Sequence, residues 1–298
     1  MKKYFLLSFL SIFLTLLFLS SKTGWSDRFL VIPPHYSVSR YPCQSSPGQQ
    51  NAQLEIAAAP SKSECFINHK AVGKTPLCLT NLAPGKYLIR INAGLKYLPY
   101  IKTITISRGE TARIHAALEK KAEVWFHEGL KALKSSSTKK AIHDFTQAAA
   151  GKPMRVSNAY YWLGLLYKKE NKLNSAVKAL RQFIFYRGNK YPTAFYELGK
   201  IYKKQNKEAK ALIAFQMAVT NLPEFKNVLK STPKPTWNNI SNLKQTTISD
   251  PDDLTNRVKL AFLYEEKGGF KKAIHQLETV LTRYKTALDA EKKELEKD

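Results

Sequence analysis

With 298 residues, 44% of them hydrophobic, the chain has enough apolar side chains for two ordinary domains. Lys and Arg number 48 against 23 Asp and Glu, a net charge of +25, which favours acidic partners (nucleic acid, anionic lipid, acidic protein or a polyanionic wall polymer) over basic ones. The lysines are scattered rather than blocked, so a plain solvated lysine-rich surface explains the charge equally well.

Met1-Lys2-Lys3 leads into a nearly unbroken apolar run, Tyr4–Leu19. This reads as an export signal that keeps Lys2 and Lys3 inside and carries the remainder across a membrane. A run of 16 residues is long for a cleaved signal, and a full span needs about 20. Residues 1–26 are therefore either a signal peptide or an N-terminal membrane anchor. Residues 27–51 read as a linker, since Ser37–Asn51 is rich in Ser, Pro, Gln and Gly without apolar periodicity. Within it, Phe29–Ile32 is either an edge strand or, preferably, a partly ordered tail.

From residue 52 to 120 the period becomes that of strands. Short runs centred on Leu54–Ile56, Cys65–Ile67, Leu77–Leu79, Tyr87–Ile91, Ile101–Ile106 and Ala112–Ala116 mostly alternate and are bounded by Gly, Pro or Asn. They predict a small β-sandwich. Gly73-x-Thr75-Pro76-Leu77-x-Leu79, Leu82-x-Pro84-Gly85-x-Tyr87-x-Ile89-x-Ile91, Ile104-x-Ile106 and Leu118 resemble the PEGA domain, although the tetrapeptide that names that family is here Pro60-Ser61-Lys62-Ser63. The resemblance implies an all-β module of bacterial and archaeal surface and envelope proteins, with no chemistry to carry over. Gly73-Lys74-Thr75 is not a phosphate loop, because Asn68 stands where the first glycine belongs and Pro76 opens a strand.

The three cysteines are an odd number, so at least one stays unpaired. Cys65 shares a face with Ile67, whereas Cys78 points away from Leu77 and Leu79, so these two cannot bond to each other. Free thiols are expected, with Cys65 filling the core. Cys65 and His69 lack the second ligand pair that a metal would need.

Residues 121–298 repeat. Gly129, Gly164 and Gly199 are 35 residues apart, as are Ala141, Ala176 and Ala211, with Phe145, Leu180 and Phe215 following in register. Pro153 and Pro223 stop the helices. The pattern resembles the tetratricopeptide repeat, a helix–turn–helix unit. It implies repeats near 122–155, 157–190 and 192–225, a degenerate one at 226–253 and another at 254–287 capped by Asp252 or Asp253. The 226–253 stretch, with Pro233 and Pro235, reads as two shortened helices in preference to a disordered insertion. Lys271–Lys297 reads as one long terminal helix whose polar end closes the array. The whole is therefore α and β in separate domains, a small β-sandwich followed by an α-helical solenoid. The hairpin at Leu254–Tyr284 is expected to stack on the repeat at Pro192–Pro223, directly or through the shortened helices.

By the same resemblance, the first helix of each repeat lines a concave face and contacts a ligand. On the first repeat that places Phe126, His127 and Leu130 in the groove. On the second it places Tyr161, Trp162, Leu165, Lys168 and Lys169, and on the third Tyr196, Lys200, Lys203 and Lys204. The last repeat adds Val258, Lys259 and Phe262. Such an aromatic and basic groove suits an extended peptide with acidic and apolar side chains. The expected role is a non-enzymatic envelope adaptor, with binding of an anionic wall polymer or membrane surface as the alternative. No catalytic motif, metal spacing or cofactor signature stands out, and an exported chain without a recognition motif argues against nucleic acid.

Overall fold

The computed structural model describes residues 37–39, 41–43, 51–151, 156–226 and 240–297. Tyr4–Leu19, Phe29–Ile32, Pro153 and the part of the connection that holds Pro233, Pro235 and Trp237 lie outside the described residues. The chain divides into two compact units, with the boundary between Glu119 and Lys120.

The first unit is all β: β1 Ser37–Ser39, β2 Ala52–Ala59, β3 Glu64–Ile67, β4 Lys70–Lys74, β5 Leu77–Leu82, β6 Gly85–Asn92, β7 Tyr100–Ile106 and β8 Thr111–Ala117. They form two four-stranded sheets, ordered β1-β5-β2-β8 and β4-β3-β6-β7. Pairing is antiparallel except between β2 and β8, which run parallel from Gln53 opposite Thr111 to Ala59 opposite Ala117. Period-two alternation supplies the core: Leu54 and Ile56, Cys65 and Ile67, Leu77 and Leu79, then Tyr87, Ile89 and Ile91 are all buried. The Tyr87 hydroxyl, which could not be buried unpaired, donates to the Ala83 carbonyl at 2.5 Å. β1 and β4 are additions to the six expected runs, and β1 falls inside the stretch read as a linker.

The cysteines correct the expectation of free thiols. Cys43 and Cys78 form a disulfide, and Cys65 alone is free. Cys78 does point away from Cys65, but β1 brings the chain alongside β5, with Ser39 opposite Cys78. Cys43 then meets Cys78 from the outer face, at a Cα–Cα distance of 5.3 Å. Its N–H also donates to Glu55 Oε1 at 3.0 Å, while Arg113 Nε donates to Glu55 Oε2 at 2.8 Å. Burial pushes the Cys65 thiol up to about 12, which leaves it an inert core filler.

The second unit is helical: α1 Ala122–Lys134, α2 Thr138–Gly151, α3 Asn158–Lys169, α4 Leu173–Arg187, α5 Pro192–Lys204, α6 Glu208–Thr220, α7 Ile240–Ser249, α8 Leu254–Glu266, α9 Phe270–Arg283 and α10 Lys285–Glu294. The helices α1–α2, α3–α4, α5–α6 and α8–α9 pair as hairpins. The glycines sit where paired helices come closest. A Cβ on Gly129 would lie 2.8 Å from the Phe145 ring, on Gly164 2.6 Å from Leu180, and on Gly199 2.7 Å from the Phe215 ring. Each hairpin turns on a residue with left-handed backbone seven positions later: Ser136, Asn171, Asn206 and, after Ala261, Gly268. Asp253 caps α8 by accepting the Asn256 N–H at 2.9 Å.

The first three hairpins stack in the expected order, α2 on α3 and α4 on α5. The α8–α9 hairpin also stacks directly on the third, but back to front, because α9 makes the main packing against α6 and α8 reaches it at its end, where Gln216 Nε2 donates to Glu265 Oε2 at 2.5 Å. Ala273, Ile274, Leu277, Val280 and Leu281 give α9 an apolar stripe wide enough for two neighbours, and all five are buried. Glu278 accepts Lys203 Nζ at 2.7 and 2.9 Å across this junction. α7 lies on the far side, against α8. The expected single terminal helix is broken at Tyr284, whose ring rests 5.9 Å from that of Phe225. Beyond the break α10 folds back on α5 instead of closing the open end, because Leu288 and Leu295 find burial there.

Candidate functional site

The face of the array built by α3 and α5 gathers most of the residues expected to bind a partner, though not all of them on its surface. Phe126, Tyr161 and Trp162 are 0%, 1% and 3% exposed, and Leu130 is also buried. Phe126, Leu130 and Tyr161 pack into the core and do not line a surface, whereas Trp162 is covered by the chain's own C-terminal segment. Phe126 lies 5.6 Å from Phe145, Phe145 stacks on Trp162 at 6.5 Å, and Tyr161 lies 5.5 Å from Phe183, which makes an aromatic spine across repeats. Leu165 and Tyr196 are half-buried against the same core, Tyr196 at 6.1 Å from Phe215. His127 is exposed, and its Nδ1 lies 2.7 Å from the Glu123 carbonyl. Lys259 and Phe262 belong to α8 with buried Val258, and it is α9 that makes the main packing against α6. The reversed docking therefore takes them out of line with the residues on α5.

The basic residues are partly answered. Lys168 donates to Glu197 Oε2, and Lys200 donates to Glu197 Oε1 at 3.2 Å while lying 4.8 Å over the Tyr196 ring. Burial holds Lys168 below the usual lysine range in spite of Glu197. Burial also works to lower Lys200, but the Glu197 charge, Tyr196 and hydrogen bonds to Glu197 and Lys168 outweigh it and raise the ammonium. Two cations on one carboxylate leave an uncompensated positive charge beside an aromatic face. Lys203 is engaged by Glu278, and Lys169 and Lys204 are exposed. The arrangement can bind an acidic side chain with an apolar neighbour.

Across the N-terminal halves of α3 and α5 lies a second set of contacts that sequence reasoning missed. Trp162 Nε1 donates to the Leu295 carbonyl at 3.2 Å, and Asn158 Nδ2 donates to the Lys297 carbonyl at 3.0 Å. The Thr193 N–H donates to Glu291 Oε2 at 3.2 Å, and Lys292 Nζ lies 5.6 Å over the Trp162 ring. The chain's own C-terminal segment thus covers this part of the face. One signal was present: Leu288 and Leu295, two turns apart in a charged tail. Among the described residues no cluster of three or more His, Cys, Asp and Glu is arranged to hold a metal, and no helix is long and apolar enough to cross a membrane.

No curated protein matches the chain. Among solved structures, a crystal structure of MamA protein is 19% identical over 55% of this chain and 92% of that one, with a TM-score of 0.34. MamA MSR-1 is 16% identical over 56% and 79%, with a TM-score of 0.35. The TPR domain of Arabidopsis OM64 is 17% identical over 35% and 84%, with a TM-score of 0.32. The PEGA domain family matches residues 51–122, and tetratricopeptide repeat families match 157–184 and 193–224. The hairpins α1–α2 and α8–α9 lie outside those matches but share the close helix approach or the left-handed turn of the matched ones. The chain therefore carries a PEGA domain at 51–122 followed by two tetratricopeptide repeats within 157–224.

Proposed function

We propose that the protein is a non-catalytic adaptor of the cell envelope, whose helical array binds a protein or peptide partner on the face of α3 and α5. The tetratricopeptide repeats support an interaction scaffold and point to a protein or peptide partner. The observation that carries the choice of face is the Lys168–Glu197–Lys200 cluster beside Tyr196, a half-buried site with net positive charge. Acidic and apolar side chains on the partner fit it. A photo-crosslinking residue at Lys169 or Lys204 is expected to capture one defined partner, and one at Lys210 on α6 is not. Equal capture at all three positions overturns the assignment.

The envelope location is supported by the basic and apolar N-terminus and by the Cys43–Cys78 disulfide, a bond that persists in oxidising compartments. Alkylation of intact cells before lysis is expected to leave Cys43 and Cys78 unmodified. Their recovery as alkylated thiols argues against export.

The net charge of +25 favours a second reading, binding of an anionic wall polymer through the basic surface and the PEGA domain. Co-sedimentation with isolated wall material separates the two. Binding that is lost at high salt supports the polymer, and binding indifferent to salt removes it.

A further inference from the structure

We propose that α10 is a releasable internal occupant of the face built by α3 and α5, and that the partner of this face is an amphipathic helix with two leucines seven residues apart that replaces it. The inference rests on the reading of that face as the partner-binding one and adds its ligand class and regulation.

The contacts that hold the C-terminal segment are those that would hold another helix of the same kind. Trp162 and Asn158 donate to the carbonyls of Leu295 and Lys297, at the end of α10 where the last carbonyls lack partners within the helix. They read backbone rather than side chains. Asn158 is a positioning residue held in turn by Arg187, whose Nη2 and Nε donate to Asn158 Oδ1 at 2.7 and 3.1 Å. That bond turns the amide nitrogen toward the carbonyl. Apolar side-chain recognition comes from Leu288 and Leu295, seven residues apart and hence on one stripe, both buried. Its last fourteen positions hold five acidic residues and four lysines, a nearly neutral segment on a protein of net +25.

The docking carries a built-in defect. Glu291 sits between the two leucines and receives one hydrogen bond, from the Thr193 N–H, while its Oε1 is buried with no protein hydrogen-bond partner. Tyr161 from α3 and Thr193 from α5 face it, and the same Tyr161 also feels Glu197 of α5 and Asp289 of α10. An incoming helix with the same leucine spacing and a better-satisfied group at this position binds more tightly than α10 does. Release also leaves the rest intact. The break at Tyr284 separates α10 from α9, and α9 stays fixed by its own stripe on α6 and α8.

The test uses the full chain and a labelled synthetic peptide of residues 284–298. In the wild type, α10 amides are expected to be protected from hydrogen exchange and the peptide to bind weakly. Leu288→Ala with Leu295→Ala is expected to expose α10, shift Trp162 emission to the red and tighten peptide binding at least tenfold. Glu291→Leu removes the defect, so it is expected to protect α10 further and weaken peptide binding. This variant acts in the stabilising direction, so misfolding does not blur it. Unprotected α10 in the wild type, or equal peptide binding by the wild type and the double variant, overturns the proposal. So does a double variant that keeps its ellipticity yet refuses the peptide, which makes α10 a fixed part of the array while position-specific crosslinks at Lys169 and Lys204 still stand. A wild-type dimer that exchanges α10 between copies assigns the face to a second copy instead and overturns the partner helix.

Discussion

Hairpins α5–α6 and α8–α9 share an internal design and differ in how they meet their neighbours. Inside each, a small residue on the first helix, Gly199 or Ala261, precedes by seven positions a left-handed turn at Asn206 or Gly268. Outside, α5–α6 presents its first helix to the preceding hairpin, whereas α8–α9 packs mainly through its second. The pairing of two helices within a hairpin is set by small residues facing large ones over a short turn, and every repeat carries its own copy of that information. The order in which hairpins stack is set by which face is widest and by the length of chain that delivers it. The connection ahead of α7 is long enough to deliver either helix, and the buried stripe on α9 wins.

The sharpest break in that comparison comes from the core residues that serve one hairpin or the junction. Phe215→Ala, which empties the space beneath Gly199, is expected to cost about 3–5 kcal/mol, read from urea unfolding. Leu281→Ala on α9 is expected to cost about 2–5 kcal/mol, and its effect is local. Hydrogen exchange should rise across 254–297 and stay unchanged in α3 and α4. An equal rise throughout would mean that the reversed hairpin is not a separable layer.

The next effect concerns the small residues. Gly164→Ala forces a methyl group to 2.6 Å from Leu180 and is expected to cost about 1–3 kcal/mol despite the better helix propensity of alanine. Ala261→Gly in the other hairpin is expected to cost only about 1 kcal/mol, through propensity alone. A neutral Gly164→Ala would show that the helices can separate freely.

A third prediction follows from Glu291. Burial raises its carboxyl to about 7, against the pull of the Thr193 N–H, from an ordinary 4.5. The docked state therefore holds a proton that the released state gives up. Its contribution is complete below pH 4.5 and disappears as pH rises through about 7. Protection of α10 amides should fall between pH 5 and pH 8, corrected for intrinsic exchange, and Glu291→Gln should flatten the profile. Smallest of all, Lys203→Ala is expected to cost at most about 1 kcal/mol, because its bridge to Glu278 is exposed.

What could be read in the sequence divides along the same line. The hairpins were legible because Gly129, Gly164 and Gly199 recur at a fixed period with Phe145, Leu180 and Phe215 behind them, and the sandwich because its strands alternate. The reversed docking was not, since nothing in Leu254–Tyr284 taken alone says which helix will face α6. The pairing of Cys43 was hidden in a stretch with no periodicity, where only the arrival of β1 beside β5 brings it to Cys78. In the candidate site, Lys168, Lys200 and Tyr196 could be named from the family positions and lie together beside Glu197, but Tyr161 and Trp162 were not separable from core by spacing. A residue at a ligand position and one beneath a docked helix carry the same apolar signature. Leu288 and Leu295 would have told them apart, had their spacing been weighed against the charge around them.

The disulfide also sets how the molecule responds to a mechanical load. If residues 1–26 hold the chain to a membrane, tension enters the first unit through β1 and reaches Cys43. The bond there shunts force directly to Cys78, so residues 44–77, which include β2, β3 and β4, bear none of it. Peeling β1 from β5 then yields only the short run up to Cys43, and further stretching must begin beyond Cys78. Cutting the bond with a reductant places the hidden residues 44–77 in the load path, adding up to about 120 Å of contour at the reach of an extended chain. Under that condition the length of chain the first unit yields is set by oxidation of one cysteine pair.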